Sequence, residues 1–475
     1  MYILKDRVFN VKWRSDFEKG CICMNFERRG WQKWRESDHD DWNIYWASVY
    51  SAKQVFSSDN HTRLGDHQLI NHFPNHYELT RKDLMVKNLK RYKKEIQREG
   101  GDTSVLDFVP TTFVLPGDYA LFVEEYRRHP NSTWILKPSA RAQGKGIFII
   151  NKLSQVRKWY ATQWPGAIKV NSSDCYVVSK YIQNPLLIGG KKFDLRLYVC
   201  VRSYRPLKAF KSSLCFARFC NYKYNDCDDD LDNAFVHLTN VAVQKHSEGY
   251  NENHGGKWPL KSLRFYLASH YGEARTQKLF DAIDAIVVNT LKACQGVMIN
   301  DRHCFELYGY DIIVDENLKP WLIEVNASPS LSATTEADRI LKFKLINDTL
   351  QCVVPRVWLK GAGGGGSASS SSAASYYTGG SAASSNGDGN GAVVGTTNLV
   401  HGGSTPAREC GSFTILHDEM AEQQERLRLR RESMQHEHDR SYPRPRWNTW
   451  GSAGSASGTS ARGSYNSSGR PYSRH

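Results

Sequence analysis

At Gly361 the sequence changes character, and from there to about Thr405 it is dominated by Gly, Ser and Ala. Side chains this small bury too little apolar area to offset the entropy of ordering the chain. Residues 361–475 are therefore expected to be mostly disordered, with a short charged helix over 418–440 that nothing supplies with a buried face. Folding is confined to roughly residues 1–360, which are rich in Trp, Tyr and Phe. That length exceeds what one hydrophobic core usually serves, so more than one packed lobe is expected.

The chain carries 63 Lys+Arg against 49 Asp+Glu, a formal net charge of +14. Such an excess steers association with polyanions: nucleic acid, a membrane surface or an acidic protein. No recognisable nucleic-acid module is present, and no apolar stretch approaches the span of a bilayer, so neither nucleic acid nor membrane is expected as a partner. The eleven cysteines are odd in number and show no CxxC spacing, which favours reduced thiols over a disulfide framework or a zinc module. The start, Met1 to Arg7, lacks the long apolar region of a secretory signal. A soluble, intracellular protein is the expectation.

The first eighty residues mix aromatics with charge and show no clean period, as in a small α+β lobe. Over 81–96 the apolar residues Leu84, Met85, Leu89, Tyr92 and Ile96 recur near helical spacing, leaving a basic outer face that either is merely solvated or binds an anion. From Trp134 the pattern shifts to short β-rich runs at 134–137, 147–150, 176–182 and 195–201, some of them strictly alternating. Leu279, Phe280, Ile283, Ile286, Val287 and Leu291 mark one stripe of a helix at about 275–295, followed by strands over Phe305 to Val314 and Trp321 to Asn326. This order indicates α+β lobes around antiparallel sheets.

Two segments carry chemistry. Lys137 to Ile147 lies between two strand candidates, and its two glycines, Gly144 and Gly146, let backbone N–H groups approach a bound phosphate. Neither the P-loop nor the GxGxxG pattern is present, and a basic glycine-rich segment of this kind is, taken alone, more often just a turn. Tyr310 to Asn326 reads as two strands joined by a polar turn. With the turn centred between Asn317 and Leu318, Asp311 falls opposite Glu324, and Asn326 shares the face of Glu324. Two facing carboxylates among Ile, Val and Leu are unfavourable without a cation, and hard oxygen ligands suit Mg²⁺. The competing reading leaves each separately solvated or paired with Lys or Arg, and a one-residue register slip would part them.

With these residues the chain resembles the tubulin-tyrosine-ligase-like proteins, a branch of the ATP-grasp ligases. The match runs from about Val11 to Pro355 through Asn75 to Lys82, Lys137 to Gly146, Gly189 to Arg196, His237 to Asn240, and Glu324 to Leu331. Within the family the flanks Ile147 to Gln155 and Asp338 to Leu350 are most similar to the catalytic chains of polyglutamylase assemblies. The resemblance implies an ATP-grasp-type α+β fold with mixed or antiparallel sheets and flanking helices. It divides the chain into an N-terminal lobe (1–80), a central lobe with the phosphate loop (81–185), a C-terminal lobe with the metal site (186–360) and the tail (361–475).

It further implies ATP contacts from Lys137, Gln143 and Gly144, an adenine hinge of Lys180, Tyr181, Ile182 and Gln183, and Lys192, Phe193, Asp194, Thr239 and Asn240 around ribose and phosphates. Asp311, Glu324 and Asn326 match the family's magnesium ligands, while Arg218, Lys257 and Lys342 match contacts to free glutamate. Lys137 and Arg196 would offset negative charge that builds during phosphoryl transfer, Arg196 having a structural salt bridge as its equal alternative. The implied reaction is ATP-dependent ligation of glutamate to glutamate side chains in the acidic C-terminal tails of tubulin, through an acyl phosphate. Another amino acid such as glycine or tyrosine, another acceptor, or a silent microtubule scaffold are the alternatives. Accessory subunits and a cytoskeletal location, including cilium or flagellum and basal body or centriole, are also implied.

Overall fold

A computed structural model describes residues 10–57, 59, 63–140, 144–163, 175–225, 231, 233–247, 249, 256–333, 335–359 and 410–441. The strands fall into three sheets in chain order. The first holds β1 (Lys12–Ser15), β2 (Gln32–Lys33), β3 (Ile44–Trp46) and β4 (Leu69–Ile70), in the order β2-β1-β3-β4. All its pairings are parallel, in a lobe for which an α+β character alone was expected. Strands of two to four residues are too short to display a period, and parallel neighbours need crossovers such as the helix Gly20–Glu27, which separates β1 from β2.

The second sheet is antiparallel and comprises β5 (Thr112–Leu115), β6 (Trp134–Pro138), β7 (Phe148–Ile150) and β8 (Tyr176–Lys180), in the order β5-β8-β6-β7. Alternation in β6 sends Trp134 and Leu136 into a core with Phe122, Tyr126 and Val156 of the flanking helices. Ile135 and Lys137 therefore face the other way.

The third sheet, also antiparallel, contains β9 (Leu187–Ile188), β10 (Lys191–Tyr204), β11 (Leu207–Ser212), β12 (Phe216–Phe219), β13 (Lys257–Pro259), β14 (Glu306–Val314), β15 (Pro320–Asn326) and β16 (Phe413–Asp418). β10 is its centre, pairing with β9, β11, β12 and β14. Its odd positions Phe193, Leu195, Leu197, Val199 and Val201 pack with Leu279, Ile283, Ile286, Val287 and Leu291 of the helix Glu273–Gln295. On the even face, Tyr198 and Cys200 join Ile22, Phe26, Leu345, Ile346 and Leu350 in a second core. Earlier in the strand the even positions Lys192, Asp194 and Arg196 are polar and buried.

β16 is an ordered strand inside the tail that was expected to be mostly disordered. It pairs antiparallel with β11, and Phe413 is 0% exposed in the second core. Asp348 accepts a hydrogen bond from the Ser412 N–H at 2.9 Å. Gly411, at φ 63°, leaves Asp348 no room for a Cβ. Six residues of strand disappear in a composition averaged over the whole tail. The charged helix expected over 418–440 forms as Glu419–Ser441. The rest of the tail, 361–409 and 442–475, lies outside the described residues. Residues to Met420 cluster as one compact unit and those from Ala421 as another.

Candidate active site

The hairpin β14–β15 pairs Asp311 with Glu324, as expected, but by a different route. Val314 pairs with Pro320, Ile313 with Trp321 and Ile312 with Leu322, so the turn is one residue tighter than the sequence argument placed it. A bulge between Asp311 and Ile312 on one side, at Ile323 on the other, restores the pairing of Asp311 with Glu324 and sets Asn326 opposite Gly309. The Asn326 side chain donates to Glu324 Oε1 at 3.3 Å.

Cross-strand partners point to the same face of a sheet, so the register extends this pair into a row. From β13 to β15 the partners are Lys257 with Arg218, Arg218 with Asp194, and, two residues along β10, Arg196 with Asp311 and Asp311 with Glu324. Arg196 holds Asp311 through two bonds, Nε to Oδ1 at 2.6 Å and Nη2 to Oδ2 at 2.9 Å. Arg218 bridges Asp311 Oδ2 at 2.9 Å and both oxygens of Asp194. Burial opposes ionisation of Asp311, but the two guanidiniums overcome it and hold its carboxyl well below the usual range. The same carboxylates lift Arg218 well above its ordinary value against desolvation. Glu324 meets Lys82 Nζ at 2.8 Å. Each carboxylate thus faces a cation in this structure, and each is an oxygen ligand of the hard type that Mg²⁺ takes.

A cleft of about 1160 Å³ opens between the second sheet and this row. Lys137, Gly144, Lys180, Tyr181, Ile182, Lys192, Asp194, Thr239, Asn240, Asp311 and Glu324 border it, so most of the expected nucleotide and metal residues share one space. Burial pushes the Lys137 ammonium down to about 8, Glu324 partly opposing the shift. Burial likewise lowers Lys192, whose Nζ donates to the Tyr181 hydroxyl at 2.8 Å and lies 4.6 Å from the Tyr181 ring centre. Gly144 has φ 77°, and a Cβ there would come within 3.2 Å of Val243 and 3.6 Å of the Asn240 amide oxygen. Only glycine lets this loop close on the 238–243 segment.

Not every expected residue borders the cleft. Phe193 is 1% exposed on the opposite face of β10, in the core, because side chains alternate along a strand. Gln183 borders a neighbouring cavity and donates to Thr133 Oγ1 at 3.2 Å. Arg196 lies beneath the cleft in its ion pair with Asp311. Gln143 lies outside the described residues. Lys257 and Lys342 converge on the buried Asp338, at 3.1 and 3.0 Å, and Lys342 also donates to the Ser332 carbonyl. Both lysines hold the Asp338 carboxyl below its ordinary value against desolvation.

Sequence reasoning missed Lys82, His237 and Asp338. Lys82 ends the Asn75 to Lys82 segment, His237 begins His237 to Asn240 and hydrogen-bonds the Tyr181 hydroxyl at 2.9 Å, and Asp338 stands one helical turn before Lys342. Each adjoined a residue already singled out.

Lys137 on one antiparallel sheet and the carboxylates Asp194, Asp311 and Glu324 on another thus border one cleft. The chain belongs to the tubulin-tyrosine ligase family, whose sequence profile matches residues 56–357. It is 52% identical over 358 residues to a Tetrahymena thermophila protein named "Probable alpha-tubulin polyglutamylase Ttll1", covering 73% of this chain and 87% of that one. It is 43% identical over 381 residues to the Bos taurus "Probable tubulin polyglutamylase TTLL9", covering 74% and 81%. A Caenorhabditis elegans "Probable tubulin polyglutamylase ttll-9" is 45% identical over 316 residues, covering 66% and 74%.

Proposed function

We propose that this chain is a tubulin polyglutamylase, joining the α-amine of free glutamate to glutamate side chains in acidic tubulin tails at the expense of ATP. The observation that carries the reading is a single cleft bordered by Lys137, Lys192, Asp311 and Glu324, with Arg218 and Lys257 in the row beside it. Lys137 and Lys192 bind and orient the phosphates, and the walls contributed by Ile135, Ile147 and Leu322 exclude water from adenine. Asp311, Glu324 and Asn326 would hold Mg²⁺, which supplies neutralisation of phosphate charge. For this they exchange their present partners, Lys82 being the simplest to displace because it is a single ammonium on a long stem.

An acceptor carboxylate attacks the γ-phosphorus as the bridging P–O bond breaks and ADP leaves, forming an acyl phosphate, and the amine then displaces phosphate from it to give an isopeptide bond. Lys257 and Lys342 select glutamate by meeting its carboxylates. A charge-assisted hydrogen bond contributes about 1.5–3 kcal/mol, enough for tens to hundreds of fold over glycine. A tubulin substrate places the protein on the cytoskeleton, and we extend this to cilia and basal bodies, with accessory subunits. The test is mass spectrometry of microtubules incubated with the protein purified together with its cellular partners, ATP, Mg²⁺ and one amino acid at a time. A ladder of glutamyl additions is expected, and addition of glycine or tyrosine instead would overturn the assignment.

A further inference from the structure

Taking a hydroxyl out of water without giving it a partner is unfavourable, so a tyrosine folded wholly into a core normally has its oxygen bonded. Tyr45, Tyr204, Tyr308 and Tyr310, each at most 1% exposed, follow the rule. Tyr45 donates to Asp16 at 2.6 Å, Tyr204 and Tyr308 bond each other at 2.9 Å, and Tyr310 meets Thr290 at 3.1 Å. Tyr198, also 1% exposed, stands apart. Among the described residues nothing hydrogen-bonds its hydroxyl, and that oxygen is not sealed off from space.

Tyr198 lies on the even face of β10, beneath the helix Glu336–Val353, whose Leu345 and Ile346 share its core. Lys342 and Asp338 are buried on the same helix, one and two turns before Ile346. On one flank the Phe216 ring lies 6.2 Å from the Tyr198 ring, Lys257 Nζ lies 5.4 Å from the Phe216 ring centre, and Lys257 and Lys342 meet at Asp338. On the other flank the partner of Tyr198 is Gly309, where a Cβ would stand 3.0 Å from Pro329 and 3.4 Å from Arg196 Cδ, so glycine lets both close in beside the ring.

The charges acting on the phenol are those of this cluster. Burial pushes it up to about 12, Arg196 opposing the shift and Asp338 adding to it. At neutral pH the group is therefore a protonated donor, set among two ammoniums and two guanidiniums that attract an anion.

A carboxylate is the acceptor such a cluster would take. The α-amine of the incoming amino acid has to reach the acyl phosphate in the cleft, which β10 borders at Lys192 and Asp194. Tyr198 lies farther along the strand, two residues beyond Arg196 or about 7 Å, and so faces the distal end of the amino acid.

We infer that the Tyr198 hydroxyl is a specificity-determining contact for the free amino acid, donating to the side-chain carboxylate of glutamate beside Lys257 and Lys342. This deepens the ligase reading above and rests on it. A site built around a hydrogen bond discriminates against an analogue that cannot complete it, and glycine has no side chain to accept one.

The test is Tyr198→Phe in the full-length chain, purified with its cellular partners, on microtubules with ATP and Mg²⁺. The substitution removes one oxygen that the described residues leave unbonded, so the melting temperature should hold, as should the KM for ATP. The KM for glutamate should rise by about ten- to a hundredfold, the worth of one hydrogen bond to a charged group. Hydroxylamine supplied in place of glutamate captures the acyl phosphate and has no side-chain carboxylate, so hydroxamate formation should match that of the unaltered protein. An unchanged KM for glutamate overturns the contact. A melting temperature or hydroxamate yield that falls in step with glutamate addition overturns it too, since Tyr198 then acts through the fold. Unaltered protein that yields neither glutamyl addition nor hydroxamate removes the ligase reading, and the inference with it.

Discussion

Asp311 is 2% exposed and clasped by two guanidiniums, whereas Glu324 opens on the cleft and meets one ammonium. Glu324→Gln leaves Lys82 an amide oxygen to face, so ligase activity is expected to vanish with little change in melting temperature. Asp311→Asn leaves Arg196 and Arg218 buried with half their compensation, which costs about 3–5 kcal/mol when a buried pair is broken; melting curves should separate the two variants. A similar penalty would confuse Arg218→Ala, which strands Asp194, so Lys257→Ala is the cleaner probe of amino-acid selection: the KM for glutamate should rise tens of fold while that for ATP holds. Lys137 supplies a pH signature. Its ammonium titrates at about 8 in the nucleotide-free protein and is drawn up again by phosphate, so ATP affinity is complete below pH 8. Above it, affinity should fall by about tenfold per pH unit until the bound-state value is reached. Nucleotide titrations from about pH 7 to about pH 9.5 would show this, and Lys137→Arg should flatten the profile.

β16 and the helix Lys82–Arg98 are the elements whose roles the structure changes. β16 covers the outer edge of β11, an edge that would otherwise present unpaired backbone groups. Phe413→Ala should destabilise the protein by about 3–5 kcal/mol, the usual range for emptying a buried aromatic site. A chain ending at Thr405 should melt lower still and aggregate through the bared strand. The helix was expected to carry a basic outer face, and Lys87, Lys90, Lys93 and Lys94 are indeed exposed. Its first residue, Lys82, instead turns inward to Glu324, so one helix serves both the cleft and the surface. Binding of the four exposed lysines to an anionic microtubule should weaken steeply with salt, and co-sedimentation at rising ionic strength measures it. Binding indifferent to salt would remove the helix from that role.

Across the whole molecule, what could be read beforehand followed the length of the periodic run. β10 declared itself by alternation over 195–201, and of its polar even positions Lys192 and Asp194 border the cleft while Arg196 is held in its ion pair with Asp311. The pairing of Asp311 with Glu324 was anticipated only because the bulge at Ile323, which no local pattern announces, offsets a turn one residue tighter than the sequence suggested. The row from Lys257 to Glu324 was illegible, since it depends on β12, β13 and β14 meeting across long connections whose register no local pattern fixes. The parallel first sheet was hidden for want of length, and β16 by the composition around it. The cleft is bordered by the second and third sheets, so on the proposed reading a bound nucleotide would touch Lys137 on one and Lys192 on the other. Ligand that binds only the folded arrangement stabilises it by mass action, by about 2.7 kcal/mol at a free concentration one hundred times Kd. The melting temperature should therefore climb with the logarithm of ATP concentration. In Lys192→Ala, which leaves only the second sheet's cation at the phosphates, the climb should begin at much higher ATP. An unshifted curve in that variant would mean that the nucleotide does not bridge the two sheets.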